Sequence, residues 1–180
     1  MARSTLHVWL ASVLVLFACP AAPGADIVST WLGGSGDWTD PARWDTADYP
    51  HNNGSTYEAL IESGVYSHVT LDDDVTVDGF TIGIGEALAI HNGCDLTLAE
   101  GIPARTITNR GTLSMESTGS TTYLNFYGEV TLTGSGSVTL SDSDRNRIVC
   151  WGNAPHLVNE GNYSHGAGHI GEAEHIGEET

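Results

Sequence analysis

The sequence predicts an all-β protein, built as a parallel β-solenoid with a tryptophan-rich N-terminal cap. Three observations predict this fold. Gly accounts for 22 of the 180 residues, and charged residues make up only 16%, below the roughly 25% of an average globular domain. Most of the chain consists of short runs in which apolar and polar side chains alternate, which is the period of a β-strand. The turns between these runs repeat, and internal repeats are typical of solenoids.

Residues 1–25 are predicted to be a signal peptide. Arg3 precedes an apolar run over residues 8–18, which is too short to span a bilayer comfortably and is followed by Pro, Ala and Gly. Cleavage near Gly24 or Ala25 releases a secreted or cell-surface chain, with no membrane span after cleavage. As an alternative, Leu16-Phe17-Ala18-Cys19 resembles a lipoprotein box, in which Cys19 is acylated and anchors the chain to a membrane.

The next segment, residues 26–64, is predicted to form the cap and the first strand. It holds Trp31, Trp38 and Trp44 among Gly and Pro residues. Two interpretations are open. The rings either cover the open end of the first coil, or form an exposed platform that binds carbohydrate.

Residues 65–171 are predicted to form the coils of the solenoid. Alternation predicts strands at 58–62, 68–71, 75–77, 80–82, 88–90, 96–98, 106–108, 112–115, 123–126, 130–132, 138–140, 147–150 and 156–158. Asn92, Asn109 and Asn159 each follow an aliphatic residue and precede a Gly, a sequence suited to tight corners. We therefore expect these Asn side chains to stack at successive corners. Residues 172–180 are predicted to be a flexible tail.

Three runs carry a resemblance to a known class. WLGGSGDWTDPARW (31–44), YPHNNGSTYEALIESG (49–64) and VTLDDDVTVDGFTIGIGEALAI (69–90) resemble the start of secreted bacterial surface proteins with autotransporter-like or adhesin-like β-helix regions. ITNRGTL (107–113) and LVNEGNYSHGAGHIG (157–171) resemble their repeat units. The resemblance implies export, a right-handed β-helix and a surface or matrix role. Such proteins usually continue through many more coils, so we expect this chain to be a truncated or partial solenoid.

Two groups of side chains are candidate sites. Asp72, Asp73 and Asp74 form either a solvated corner or a weak Ca²⁺ site, and three successive residues of a strand do not converge on one ion unless the chain turns. Cys94 and Cys150 form either a disulfide, which an exported compartment permits, or two small buried side chains. No catalytic residue and no other cofactor is predicted.

The charge balance excludes some partners. The chain has 6 basic residues, all of them Arg, and 23 acidic ones, for a net charge of −17. Nucleic-acid binding needs a basic stripe, which the sequence lacks. The sequence therefore predicts a non-enzymatic secreted or cell-surface β-helix module with an adhesive or structural role, whose partners are extracellular polysaccharide or other surface proteins. The alternative is a β-helix protein that binds or cleaves polysaccharide.

Overall fold

A computed structural model describes residues 24–101 and 104–172 of the chain. The predicted signal peptide, apart from Gly24 and Ala25, lies outside these residues, together with Cys19 and positions 173–180. The described chain is a β-solenoid of stacked coils in which every strand-to-strand pairing is parallel. The predicted fold class is confirmed.

The strands stack into three sheets, and every coil except the first contributes one strand to each sheet, whereas the first coil contributes to two of them. The first sheet stacks β1 (Ile27–Thr30), β3 (Tyr57–Ile61), β6 (Gly79–Ile82), β9 (Ala104–Asn109), residues 129–133 of β11 (Thr122–Thr133) and residues 156–160 of β12 (Ser137–Glu160). The second stacks β2 (Gly34–Asp37), β4 (Ser67–Leu71), β7 (Ala87–Ile90), β10 (Thr112–Met115), residues 137–140 of β12 and residues 163–165 of β13 (Tyr163–Glu172). The third stacks β5 (Val75–Val77), β8 (Asp95–Leu98) and the remaining parts of β11, β12 and β13.

Aliphatic ladders fill the interior between the three sheets. In the second sheet, Val69 pairs with Leu88, Leu88 with Leu113, and Leu113 with Val138. All four are essentially inaccessible to solvent, and burying a side chain of this size contributes about 1.5–3 kcal/mol. Like residues therefore stack on like residues from coil to coil, which fixes the register.

The core is less complete in the last coils. Leu140 and Leu157, both expected to be core residues, are only partly buried. An apolar cavity of about 290 Å³ lies in this region, and its lining includes Leu132, Leu157 and Ile170. The interior of the solenoid is thus packed more tightly at its N-terminal end.

The solenoid begins earlier than the alternation predicts. β1 and β2 already pair with β3 and β4, so residues 26–64, expected to form the cap and the first strand, supply two further strands ahead of the predicted one. β2 has the sequence Gly-Ser-Gly-Asp. With no apolar side chain it carries no alternation signal, although its backbone pairs like that of any other strand.

The expected stack of Asn92, Asn109 and Asn159 is wrong. Asn92 lies at the corner between β7 and β8, whereas Asn109 ends β9 at a different corner. Asn159 is out of step with Asn109, because Ile107 pairs with Leu132 and Leu132 pairs with Asn159. The turns have similar sequences but form corners of different length, so their sequences did not show which residues stack.

Candidate functional site

The three tryptophans of the cap form one buried cluster. Trp31, Trp38 and Trp44 are 1%, 0% and 2% exposed. The Trp44 ring packs edge-on against both others, with centroid distances of 5.1 Å to Trp31 and 4.9 Å to Trp38. Each indole Nε1 donates to a backbone oxygen, of Gly34, Pro50 and Trp38 respectively. No ring face is open to a sugar, so the carbohydrate-binding interpretation of these residues is corrected, and they close the first coil.

Asp72, Asp73 and Asp74 lie at the exposed corner between β4 and β5. Asp72 accepts hydrogen bonds from the backbone N–H and the hydroxyl of Thr39, at 3.1 and 2.6 Å. Asp73 accepts from the N–H of Asp74, and Asp74 accepts from the N–H of Asp95 on the next coil. The three carboxylates thus bond to different parts of the corner. Across residues 24–101 and 104–172, no cluster of three or more His, Cys, Asp or Glu side chains is arranged to hold a metal ion.

The carboxyl group of Asp95 has a raised pKa. Burial, followed by the negative charge of Asp74, raises the pKa of Asp95 from 3.8 to about 6, and a backbone hydrogen bond from Tyr123 partly opposes the rise. Desolvation and a like charge both disfavour the ionised form. This side chain therefore changes charge within the mildly acidic range.

Arg105 is a structural residue. It is 7% exposed, and its guanidinium donates to the backbone oxygens of Asp78 and Ala99. Burial lowers the pKa of Arg105, while desolvation and the charge of Asp78 raise the pKa of Glu58. The guanidinium ties successive corners together through these two bonds, while its Nε is buried without a hydrogen-bond partner among the described residues.

The two cysteines do not form a disulfide with each other. Both are buried. Cys94 directly precedes Asp95, which pairs with Tyr123 on the next coil. Tyr123 in turn pairs with Arg147 one coil further on, and Cys150 lies beyond Arg147 on that strand. The strand and coil spacings place the two Cα atoms roughly 16 Å apart, well beyond the 7 Å or so that a disulfide can span. The disulfide prediction is corrected, and the alternative of small buried side chains describes both positions.

The outer surface of the third sheet carries a group of aromatic side chains that sequence reasoning missed. We call it the aromatic face and define it by Thr97, Tyr123, Asn125, Tyr127 and Trp151. The first four are half-buried and alternate along their strands with buried core residues, so their side chains point outward. Trp151 follows the buried run Ile148–Cys150 and is exposed.

The aromatic face is internally ordered. Trp151 pairs in register with Tyr127 on the preceding coil, and their rings are stacked, with centroids 6.4 Å apart and planes at 27°. Trp151 is 40% exposed. Its Nε1 donates to the Oδ1 of Asn125 at 3.2 Å, and the Asn125 amide donates to the hydroxyl of Thr97 at 3.4 Å. A chain of hydrogen bonds across three coils therefore fixes the indole in place.

The sequence contains little signal for this face. Ile148, Val149 and Cys150 are all buried, so the run that ends at Trp151 does not alternate in burial, and alternation alone does not predict that the Trp151 side chain is exposed. Its stacking on Tyr127 could not be predicted, because the sequence does not show which residues of adjacent coils pair.

The described part of the chain contains no helix with the length and apolarity needed to cross a bilayer. Comparison with protein-family models, with curated proteins and with solved structures gives no significant match to this chain.

Proposed function

We propose that this chain is a non-enzymatic secreted or cell-surface β-solenoid module with an adhesive role, and that the aromatic face is its contact surface. The observation that carries the proposal is the exposed, hydrogen-bonded Trp151 stacked on Tyr127. Exposed aromatic side chains supply large, rigid contact areas at low cost in conformational entropy, and for this reason they are enriched at binding surfaces.

The polar side chains elsewhere support a non-enzymatic role. Several cations and carboxylates take part in structural bonds: Arg105 to backbone carbonyls, Asp72 to Thr39, and Arg110 to Glu62. A general acid or base must be able to reach a substrate proton. Groups that form these bonds hold neighbouring coils together instead of acting on a substrate.

Export is the second part of the proposal. The N-terminal apolar segment directs the chain out of the cytoplasm, and the alternative is lipid anchoring through Cys19. We expect the chain, expressed in a Gram-negative host, to lose residues 1–25 and to appear in the periplasm or medium. Incorporation of labelled palmitate that is lost in Cys19→Ser would instead establish the lipid-anchored form.

Adhesion is tested by retention of the purified protein on intact bacterial cells and on biofilm matrix. Retention that falls in Trp151→Ala but not in Tyr66→Ala supports the proposal, because Tyr66 is also exposed but lies outside the aromatic face. Failure to bind either surface would contradict it. Release of new reducing ends or of unsaturated uronates from a polysaccharide would favour the polysaccharide-cleaving alternative.

A further inference from the structure

We infer that the aromatic face binds an uncharged polysaccharide, with the rings of Tyr127 and Trp151 forming the stacking surface. This inference rests on the proposed function and deepens it by naming the class of ligand. It is argued from the shape of the face, from its hydrogen-bonding groups and from its charge.

The stacking surface comes from two adjacent coils. The nearly parallel rings of Tyr127 and Trp151 form one platform, with Trp151 40% exposed. A pyranose has an apolar face of C–H groups and a rim of hydroxyls, so it matches a flat ring with polar groups beside it. Asn125 already holds the indole through its Nε1. Because the ring is pre-oriented, binding costs less ordering entropy than it would for a freely rotating side chain.

Groups that bond hydroxyls lie beside the platform. Thr76, Thr97 and Asn125 form one outward column on consecutive coils, and Tyr123 lies on the same strand as Tyr127. The distance from Tyr123 to Tyr127 along β11 is about 13 Å, and three coils span about 10 Å. The face therefore has room for two or three sugar rings, with donors and acceptors on the coils that precede Trp151. Val149, which continues the column on the coil of Trp151, is buried and offers none.

The negative charge of the chain favours an uncharged ligand. The chain carries a net charge of −17, and Asp74 and Asp95 lie at the edge of the face opposite the aromatic pair. Arg147 is the register partner of Tyr123 and offsets them locally. A uronate polymer would be repelled by the molecule as a whole, whereas a neutral polysaccharide pays no such cost.

The test is affinity electrophoresis of the purified protein through gels that contain hydroxyethyl cellulose, laminarin, galactomannan or, as the charged comparison, polygalacturonate. We expect retardation on at least one neutral polymer, weakened about tenfold in Trp151→Ala. Trp151→Phe should keep part of the affinity, because it retains a ring but loses the bond to Asn125. Tyr66→Ala, which removes a more exposed ring elsewhere, should bind like the wild type.

Acrylamide quenching gives a second readout. Among the tryptophans of the described residues, Trp31, Trp38 and Trp44 are buried and Trp151 is exposed, so the quenchable fluorescence that Trp151→Phe removes reports on Trp151. The neutral polymer that retards the protein should protect this fraction from acrylamide.

Three outcomes would overturn the inference: no retardation on any neutral polymer, retardation on polygalacturonate alone, or full binding by a folded Trp151→Ala protein. If retention on cells persists while the neutral polymers fail, the proposed adhesive function stands and only the ligand class is wrong. If retention on cells fails as well, both proposals fall.

Discussion

The side chains of Asn109 and Asn162 are hydrogen-bonded to each other although a whole coil lies between them. Asn109 Nδ2 donates to Asn162 Oδ1 at 2.9 Å, and both residues are buried. The contact passes over Gly136 on the intervening coil, where a Cβ atom would lie 2.7 Å from Asn109 Oδ1 and 2.5 Å from the backbone oxygen of Gly111. The absence of a side chain at this position lets two coils interlock across a third.

Removing either amide should destabilise the solenoid. Asn109 also accepts from the N–H of Gly111 and donates to the oxygen of Ser137, and Asn162 donates to the oxygen of Thr133. We expect Asn109→Ala and Asn162→Ala each to lower the free energy of unfolding by about 1–3 kcal/mol, because buried partners lose their bonds. In a double-mutant cycle by urea denaturation the two effects should be coupled. Strict additivity would contradict the interlock.

Position 136, where Gly136 packs against Asn109, should not tolerate a methyl group. Gly136→Ala places its Cβ against backbone, which cannot rotate away as a side chain can. We expect a loss of about 1–3 kcal/mol in the free energy of unfolding, the usual cost of overpacking. Gly171→Ala is the matched control, because a Cβ there meets nothing within 4 Å. Equal unfolding temperatures for the two variants would argue against the close approach of the coils.

The buried and exposed tryptophans should have opposite roles. Trp44→Ala removes the central ring of the cap and should cost about 3–5 kcal/mol of unfolding free energy. Trp151→Ala removes an exposed ring and should change stability by about 0.5 kcal/mol or less, while it lowers retention on cells. Thermal unfolding and cell retention, measured on both variants, test the assignment. Loss of binding in a folded Trp44→Ala protein would indicate that the cap itself binds sugar.

Asp95 should make stability depend on pH. Its pKa is raised in the folded chain to about 6, so between about pH 4 and 6 the folded state binds a proton that the unfolded state has released. The free energy of unfolding therefore falls as the pH rises through this window and levels off above it. Because the side chain is only partly buried, solvent screening limits the effect to about 1 kcal/mol.

Asp95→Asn carries no charge at any pH and tests this assignment. It should be more stable than the wild type at pH 8 and equally stable at pH 4. Asp144→Asn, which removes a carboxylate at an exposed position, is the matched control in chemical denaturation. A lower stability of Asp95→Asn at pH 8 would mean that the carboxylate stabilises the fold.

Calcium should not stabilise the corner at Asp72–Asp74. Asp72 is engaged with Thr39 and Asp74 with the N–H of Asp95, so binding one ion would require these bonds to break. We expect the same unfolding temperature in excess CaCl₂ and after treatment with a chelator. A ligand that binds only the folded state raises stability, so a rise in CaCl₂ that Asp73→Asn removes would establish a site.

Alternation revealed much of the fold but not its register. The runs at Val75–Val77 and Thr112–Met115 coincide with strands because inward aliphatics alternate with outward hydroxyls. Corners of unequal length cannot be aligned from one sequence, so the pairing of Asn109 with Asn162 and of Tyr127 with Trp151 emerges only from the stacked coils. Both the interlock and the aromatic face depend on which residues of adjacent coils meet, and a local pattern does not contain that information.

The two ends of the solenoid differ, and this gives the molecule a direction of unfolding. Trp31, Trp38 and Trp44 close one end. Within the described residues, β13 has β12 as its only strand partner, above a partly filled cavity. In a stack where each repeat depends on its neighbours, opening starts at the weakest end and moves inward. Amide exchange should therefore slow from coil to coil towards the cap, and the coils bearing Tyr127 and Trp151 should separate before the tryptophan cluster loosens.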